Sequence, residues 1–345
     1  MTAITDDSQD QHQHRERVRA GIRRGAELSI AYLLMNILAA TIASYGLFAN
    51  SPAVIIGAMI IAMLLGPITG ISLALVDSDM KLLLRGLGTL VAGALVVMAT
   101  GLIIGTIHSD VPVSQEIMAR TAPNLADLVV ALAGGAAGAY ATVSPRLSVA
   151  LVGVAIATAL VPPLAAASIL LARGEVDAAS GAFLLTFTNI VAIQFASSVV
   201  FWSAGFRRVS RTKGISFLVF FKSNAVSILI LGVLAVVLTD SLHEALTRRI
   251  YESGVQSTLQ REFDNSPGSH LVEVRFDEAE RGRSIIRAVV RGPSPPSAAQ
   301  VAAMEATLPA HPGRRPVELR VRFVPTTIIN RDGVLLEDAA FHGGE

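Results

Sequence analysis

The sequence predicts a mainly α fold: a polytopic membrane helix bundle of about seven spans, built as two inverted three-span repeats, with a small C-terminal α+β soluble domain. Three observations carry this. Of 345 residues 52% are hydrophobic and only 16% charged, which is too apolar for an ordinary soluble chain of this size. The charges are segregated, since the last 105 residues, from Ser241, hold 13 of the 28 basic and 14 of the 27 acidic side chains. Finally, a short motif recurs at a fixed offset inside the apolar part.

Residues 1–26 form a polar segment, His-rich and then Arg-rich, without the apolar core of a cleavable signal peptide, so it is expected to be retained. The transmembrane domain follows over 27–240. An apolar span needs about 20 residues to cross about 30 Å of hydrocarbon. Repeat one, 27–107, supplies spans at 27–48, 52–76 and 82–107; repeat two, 125–205, supplies 125–143, 147–171 and 178–205. An extra span, 215–239, carries Lys222 and Asn224.

Orientation follows from Lys and Arg in the short flanking segments, which resist translocation. Arg15, Arg17, Arg19, Arg23, Arg24, Lys81, Arg85, Arg146, Arg207, Arg208, Arg211 and Lys213 fall on one side of the alternating spans, against Arg120 and Arg173 on the other. Twelve against two puts the N-terminus in the cytoplasm. With seven crossings the C-terminal domain lies outside; if the Lys222 stretch only lies in the interface or re-enters, it is cytoplasmic.

At an offset of 96 residues, GAMIIAMLLGPI aligns with GVAIATALVPPL: Gly57 meets Gly153, Ile60 meets Ile156, Leu64 meets Leu160 and Pro67 meets Pro163. Ser51-Pro52 and Ser144-Pro145 precede the two copies. Each copy is the middle of three spans, and three is odd, so the two triplets cross in opposite directions. Inverted repeats of this kind characterise secondary transporters, whose sites lie where broken helices of the two halves face each other. Gly66-Pro67 and Pro162-Pro163 suit such breaks, because proline lacks an N–H and clashes with the carbonyl four residues back. Backbone groups freed inside a membrane must be met by protein, water or solute. The predicted solute pathway is therefore Asn36, Ser51, Pro52, Gly57, Gly66, Pro67, Gly153, Pro162, Pro163, Asn189 and Gln194. Thr186, Thr188, Asn224 and Ser227 are further polar groups in the spans. The plain alternative is proline kinks and interhelical hydrogen bonds within a packed bundle.

Enzyme chemistry is not expected. The chain lacks HExxH, GxSxG, a Walker lysine loop and GxGxxG, and it has no cysteine. Its seven histidines are scattered, so no metal, cofactor or catalytic residue is predicted. A net charge of +1 offers no field for a polyanion, and no nucleic-acid partner is expected. The partners implied are the bilayer and an unidentified small solute or ion.

The C-terminal domain, 241–329, reads as helix, strand, strand, helix, strand. LHEALTRRIYESGVQSTLQREF has helical apolar spacing; HLVEVRF, SIIRAVVRG and PVELRVRFV alternate; SPPSAAQVAAMEATL is a helix with proline near its start. Residues 330–345 are expected to form a mobile tail.

The runs NILAATIASYGLFANSPAVIIGAMIIAMLLGPI, GVAIATALVPPLAA and FTNIVAIQFA, in that order, resemble the bacterial and archaeal membrane family catalogued as domain of unknown function 389. The resemblance covers roughly residues 27–205 and implies a multi-span plasma-membrane (inner-membrane) protein; it names no catalytic residues to carry over. The expected function is a transporter or channel-like protein with its pathway at the broken helices. The alternative is a non-transporting scaffold or sensor that homo-oligomerises and positions its C-terminal domain.

Overall fold

The computed structural model of the protein describes residues 2–144, 160–206, 216–264, 269–280, 283–313, 315–326, 328–331 and 333–335. They form two compact units, Met1–Leu242 and His243–Glu345.

In the first unit α1 spans Thr2–Gly25 and α2 Ile30–Phe48; α3 (Pro52–Ile61) and α4 (Leu65–Asp77) follow as a pair bent by 53°. Then come α5 (Met80–Ile107), the short α6 (Gln115–Met118), α7 (Leu125–Val143), α8 (Val161–Ala172), α9 (Val176–Ser203) and α10 (Ser216–Asp264), which runs on into the second unit. Among the described residues five helices are long and apolar enough to cross a membrane, and six if the bent pair is one span. The expected spans 27–48, 82–107, 125–143, 178–205 and 215–239 each fall on one of these five. The expected fifth span, 147–171, is described only from residue 160 onward.

Local chemistry starts the helices. Ser29 accepts from the Tyr32 N–H at the head of α2, and Asp79 from the Leu82 N–H at the head of α5. Asn124 and Asp127 form a reciprocal capping box on α7. Gly174 and Gly205, just past the ends of α8 and α9, take positive φ of 78° and 77°, where a side chain would be strained.

Hydrogen bonds sort the helix ends into two groups. At one end, Arg19 bonds to Asp77 and to the Phe206 carbonyl, and the His14 ring to the Val143 carbonyl. At the other, the Ser114 hydroxyl donates to the Leu47 carbonyl, and Arg173 to the carbonyls of Ser109 and Val111. Thus α2 and α5 run from the Arg19 end to the Arg173 end, while α4, α7 and α9 run back.

Packing is by helix on helix with small residues at the seams. α4 lies against both α5 and α9, and so does α8. A Cβ on Gly101 would stand 2.8 Å from the Ser168 Cβ, and one on Gly135 2.7 Å from the Ile193 Cα, so these glycines set how closely α5 meets α8 and α7 meets α9. The largest buried cluster runs through α2, α3, α4, α5, α7, α8, α9 and α10.

In the second unit β1 (His270–Glu280) pairs antiparallel with β2 (Arg283–Gly292), and β2 parallel with β3 (Val317–Pro325), in the order β1-β2-β3. α11 (Ala298–Thr307) supplies the crossover that a parallel pair requires. One sheet face, with Ile286, Ala288, Val290 and Leu319, is buried with Tyr251, Val255, Leu259 and Phe263 of α10 and Met304 of α11. β4 (Ile328–Asn330) and β5 (Gly333–Leu335) make a separate hairpin. His311 packs edge-on to Tyr251, ring centroids 5.1 Å apart, and burial together with the nearby Arg315 charge lowers its pKa.

Candidate functional site

The break between α3 and α4 comes first. If a helix continued through it, Pro67 would collide with the carbonyl of Met63. Instead Ala62 turns extended, with φ −63° and ψ 136°, and the helix restarts at Leu65. Pro67 then sits in the first turn of α4, where its missing N–H is no loss. The Met63 carbonyl accepts from the Gly66 N–H at 3.3 Å, and the Met63 N–H donates to Asn36 Oδ1 at 3.2 Å. Asn36 is fully buried and its amide nitrogen donates to the Tyr32 carbonyl, 2.9 Å away. Asn36 therefore meets a donor that the break has freed.

α8 also starts with prolines in its first turn. Leu160 precedes it without a side-chain cap, and Pro162 and Pro163 occupy its first turn. Two of the N–H groups that would have been orphaned are absent, and that of Leu164 reaches the Leu160 carbonyl at 3.4 Å.

A second polar cluster lies where α4, α9 and α10 meet. The Ser72 hydroxyl is shared between the carbonyls of Ile68 and Gln194, each 2.9 Å away. Gln194 Nε2 donates to Ser198 Oγ at 2.9 Å and reaches Asn224 Oδ1 at 3.5 Å, while its Oε1 accepts from Ser227 at 2.6 Å. Ser198 Oγ lies 3.4 Å from the Ser72 carbonyl. All but the half-buried Ser227 are buried. Trp202 and Phe220 stack at 5.3 Å between centroids, so α10 runs antiparallel to α9 along this seam.

Beside the seam lies a cleft of about 710 Å³ among α4, α5, α9 and α10. It extends from Ala94 and Gln194 to Ser78 and Asp79 in the turn after α4.

The end of α1 covers that turn's surroundings. Arg19 Nη1 lies 2.9 Å from Asp77 Oδ2, whose side chain is fully buried, and Arg23 Nη2 lies 2.8 Å from Asp79 Oδ2. Both carboxylates are near the negative end of the α4 dipole, where a cation is favoured. Ile22 and Ala26 are buried with Leu73, Ala74, Leu82, Val143, Phe201 and Phe206. The backbones touch: a Cβ on Gly66 would collide with the Gly25 carbonyl, and one on Gly70 with the Ala26 methyl.

The expected site residues are thus distributed. Gly66 and Pro67 stand at one break with Asn36, and Pro162 and Pro163 at the start of α8. Gln194 joins the seam, and Asn189 is buried on α9. Ser51 and Pro52 head α3 at the Arg173 end, and a Cβ on Gly57 would meet nothing within 4 Å. Gly153 lies outside the described residues. The sequence reading passed over Ser72 and Ser198 and the Arg19–Asp77 pair. The serines sit at helical spacing from Ile68 and Gln194, a signal visible only once the seam is known. Among the described residues no three His, Asp or Glu side chains gather as metal ligands would.

Residues 59–195 match the model of a family described as "Domain of unknown function (DUF389)". Over this stretch the chain is similar to that family. The match runs from Met59 on α3 to Phe195 on α9 and so includes the break, α8 and Gln194. An uncharacterized protein of Methanocaldococcus jannaschii is 37% identical over 183 residues, covering 52% of this chain and 56% of that protein. The chain thus spans little more than half the length of that relative. No solved structure matches it. With its apolar helices, the chain is a membrane protein.

Proposed function

We propose that the protein is a carrier for a small solute, in which two inverted triplets, α2 to α5 and α7 to α9, move against each other around the α4/α9/α10 seam. The matching dimensions support the repeat. α2 and α7 both have 19 residues and start 95 positions apart; α5 and α9 both have 28 and start 96 apart, as do α4 and α8 at Leu65 and Val161. Ser78 and Gly174, also 96 apart, both take positive φ. The opposed helix directions support the inversion.

One observation carries the transport reading: α4 and α8 each pack between the two 28-residue helices, and the α4 seam holds a buried hydrogen-bonded network. Gln194, Ser72, Ser198, Asn224 and Ser227 supply donors and acceptors that a polar solute group can exchange with. α1 closes the end that the basic residues mark as cytoplasmic, through Arg19 and Arg23. α10 crosses the membrane and leaves the C-terminal unit outside.

The test is a thermal-shift screen of metabolites and ions on the purified full chain, followed by flux of any stabilising compound into reconstituted vesicles. A ligand bound only by the folded form raises its apparent stability. Gln194→Leu should lower flux of the hit about tenfold, the worth of about 1.4 kcal/mol. Equal flux in the variant, or in empty vesicles, would remove the seam from the mechanism.

A further inference from the structure

The cleft itself says what kind of ligand suits it. Its walls are Ile71, Leu83, Leu90, Phe187, Ile190 and similar side chains, interrupted by Gln194, Ser223 and Ser227. It is also open sideways: of the residues lining it, Leu87 is 43%, Phe187 48% and Val226 69% exposed, on helices whose outer faces the bilayer covers. An apolar recess of that kind does not hold a hydrated ion, because the ion would lose its hydration without replacement. Hydrocarbon fills it at no such cost.

One end of the recess reaches the interface at Ser78, Asp79 and Met80. Asp79 is answered there by Arg23. Lys81 follows Met80 in the chain, Lys222 precedes Ser223, and both are exposed and in no ion pair among the described residues. With Asp79 neutralised, the two lysines next in the chain to lining residues flank the recess as exposed cations, a charge that favours an anionic lipid surface.

We propose that the cleft binds an anionic amphiphile from the leaflet at the Arg19 end, one alkyl chain lying along α5 and α9 and the headgroup held at Lys81 and Lys222. Resting on the carrier reading, this names its substrate class as lipid-like; the binding site stands or falls separately. The Gln194–Ser227 pair marks the deep end of the chain's path and takes any polar group carried there.

The full chain in phosphatidylcholine vesicles, doped with phosphatidylglycerol bearing a photoreactive diazirine on its acyl chain, provides the test. After illumination, mass spectrometry should place label on Leu83, Leu87, Phe187 and Ile190 well above that on Leu34 and Leu38, bilayer-facing residues of α2 that are 54% and 52% exposed. Leu87→Trp, a change at an exposed position, should cut cleft labelling about tenfold and leave α2 labelling intact, which reports an intact fold. Lys81→Gln with Lys222→Gln should abolish the preference for this probe over its choline counterpart. Label spread evenly over cleft and α2, or unmoved by Leu87→Trp, would overturn the site. Equal labelling by both probes in the unaltered chain would overturn the anionic headgroup. Cleft labelling without flux refutes the carrier and keeps the site; flux of a water-soluble hit without cleft labelling does the reverse.

Discussion

In the proposed repeat, the two triplets of helices differ in the residues that stand at matching places. In the first, the donor freed by the break, the Met63 N–H, is met by Asn36; at the matching place in the second stands Ala131, buried and apolar. In the second, Pro162 and Pro163 both lack an N–H in the first turn of α8, where the first turn of α4 has Pro67 alone. Inside a membrane it is the balance of backbone donors that must be kept, and the side chains that keep it can differ. The seams diverge as well. Gln194 and Ser198 on α9 correspond to Met98 and Leu102 on α5, so the α4 seam is polar and the α8 seam is closed by Gly101, Gly105 and Ser168. The turns before the long helices differ in sign: Asp77 takes Arg19 from α1, whereas Arg173, 96 positions on, bonds to the carbonyls of Ser109 and Val111. Polar chemistry has accumulated on one seam and at one end.

Breaking that asymmetry should cost most at Asp77. Asp77→Ala strands the Arg19 guanidinium, 13% exposed, and should lower stability by about 3 kcal/mol, read as a fall in the unfolding midpoint of the detergent-solubilised full chain. Asn36→Leu should cost about 1–3 kcal/mol by leaving the Met63 N–H unmet, whereas Ala131→Ser, at the matching buried position, should move the midpoint little. The two turns can be compared directly by exchanging their left-handed residues: Gly174→Ala should destabilise by about 1 kcal/mol, and Ser78→Gly, at φ 54°, should stabilise by a similar or smaller amount. The smallest effect lies outside both triplets. Because His311 has a lowered pKa in the folded unit, the unfolded chain holds more protons between that value and 6.5. Stability therefore rises with pH through this window and is lost below it. Limited proteolysis of the C-terminal unit should be faster at pH 5.5 than at 7.5, and His311→Gln should flatten the difference.

Much of the fold was legible in the residues. Hydropathy located α7 at the bounds observed, because its start is a capping box and its end a serine followed by proline. The strands of the C-terminal unit followed from alternation, since one face is buried and the other wet. The break was anticipated at Gly66-Pro67 and is found just before it. Proline forbids the preceding helix from continuing and at the same time suits the first turn of the next, so the irregular residues lie upstream. The site was legible only in part. Gln194 could be singled out as a buried amide, but its partners Ser72 and Ser198 are ordinary helical serines until α4 and α9 are brought together. Asn36 was grouped with Gln194 because both are polar and intramembrane, yet its oxygen is committed to the backbone 27 residues on. The pairing of Arg19 with Asp77, 58 residues apart, leaves no mark on local sequence.

The central claim, two matching triplets threaded in contrary directions, is tested most directly at the first residues of the two 28-residue helices. The chain has no cysteine, so Met80→Cys and Val176→Cys, at positions 64% and 61% exposed, each give one reactive site. An impermeant maleimide applied to intact cells should label Val176→Cys and spare Met80→Cys, with the pattern reversed in inside-out vesicles. Labelling of both from the same side would contradict the account.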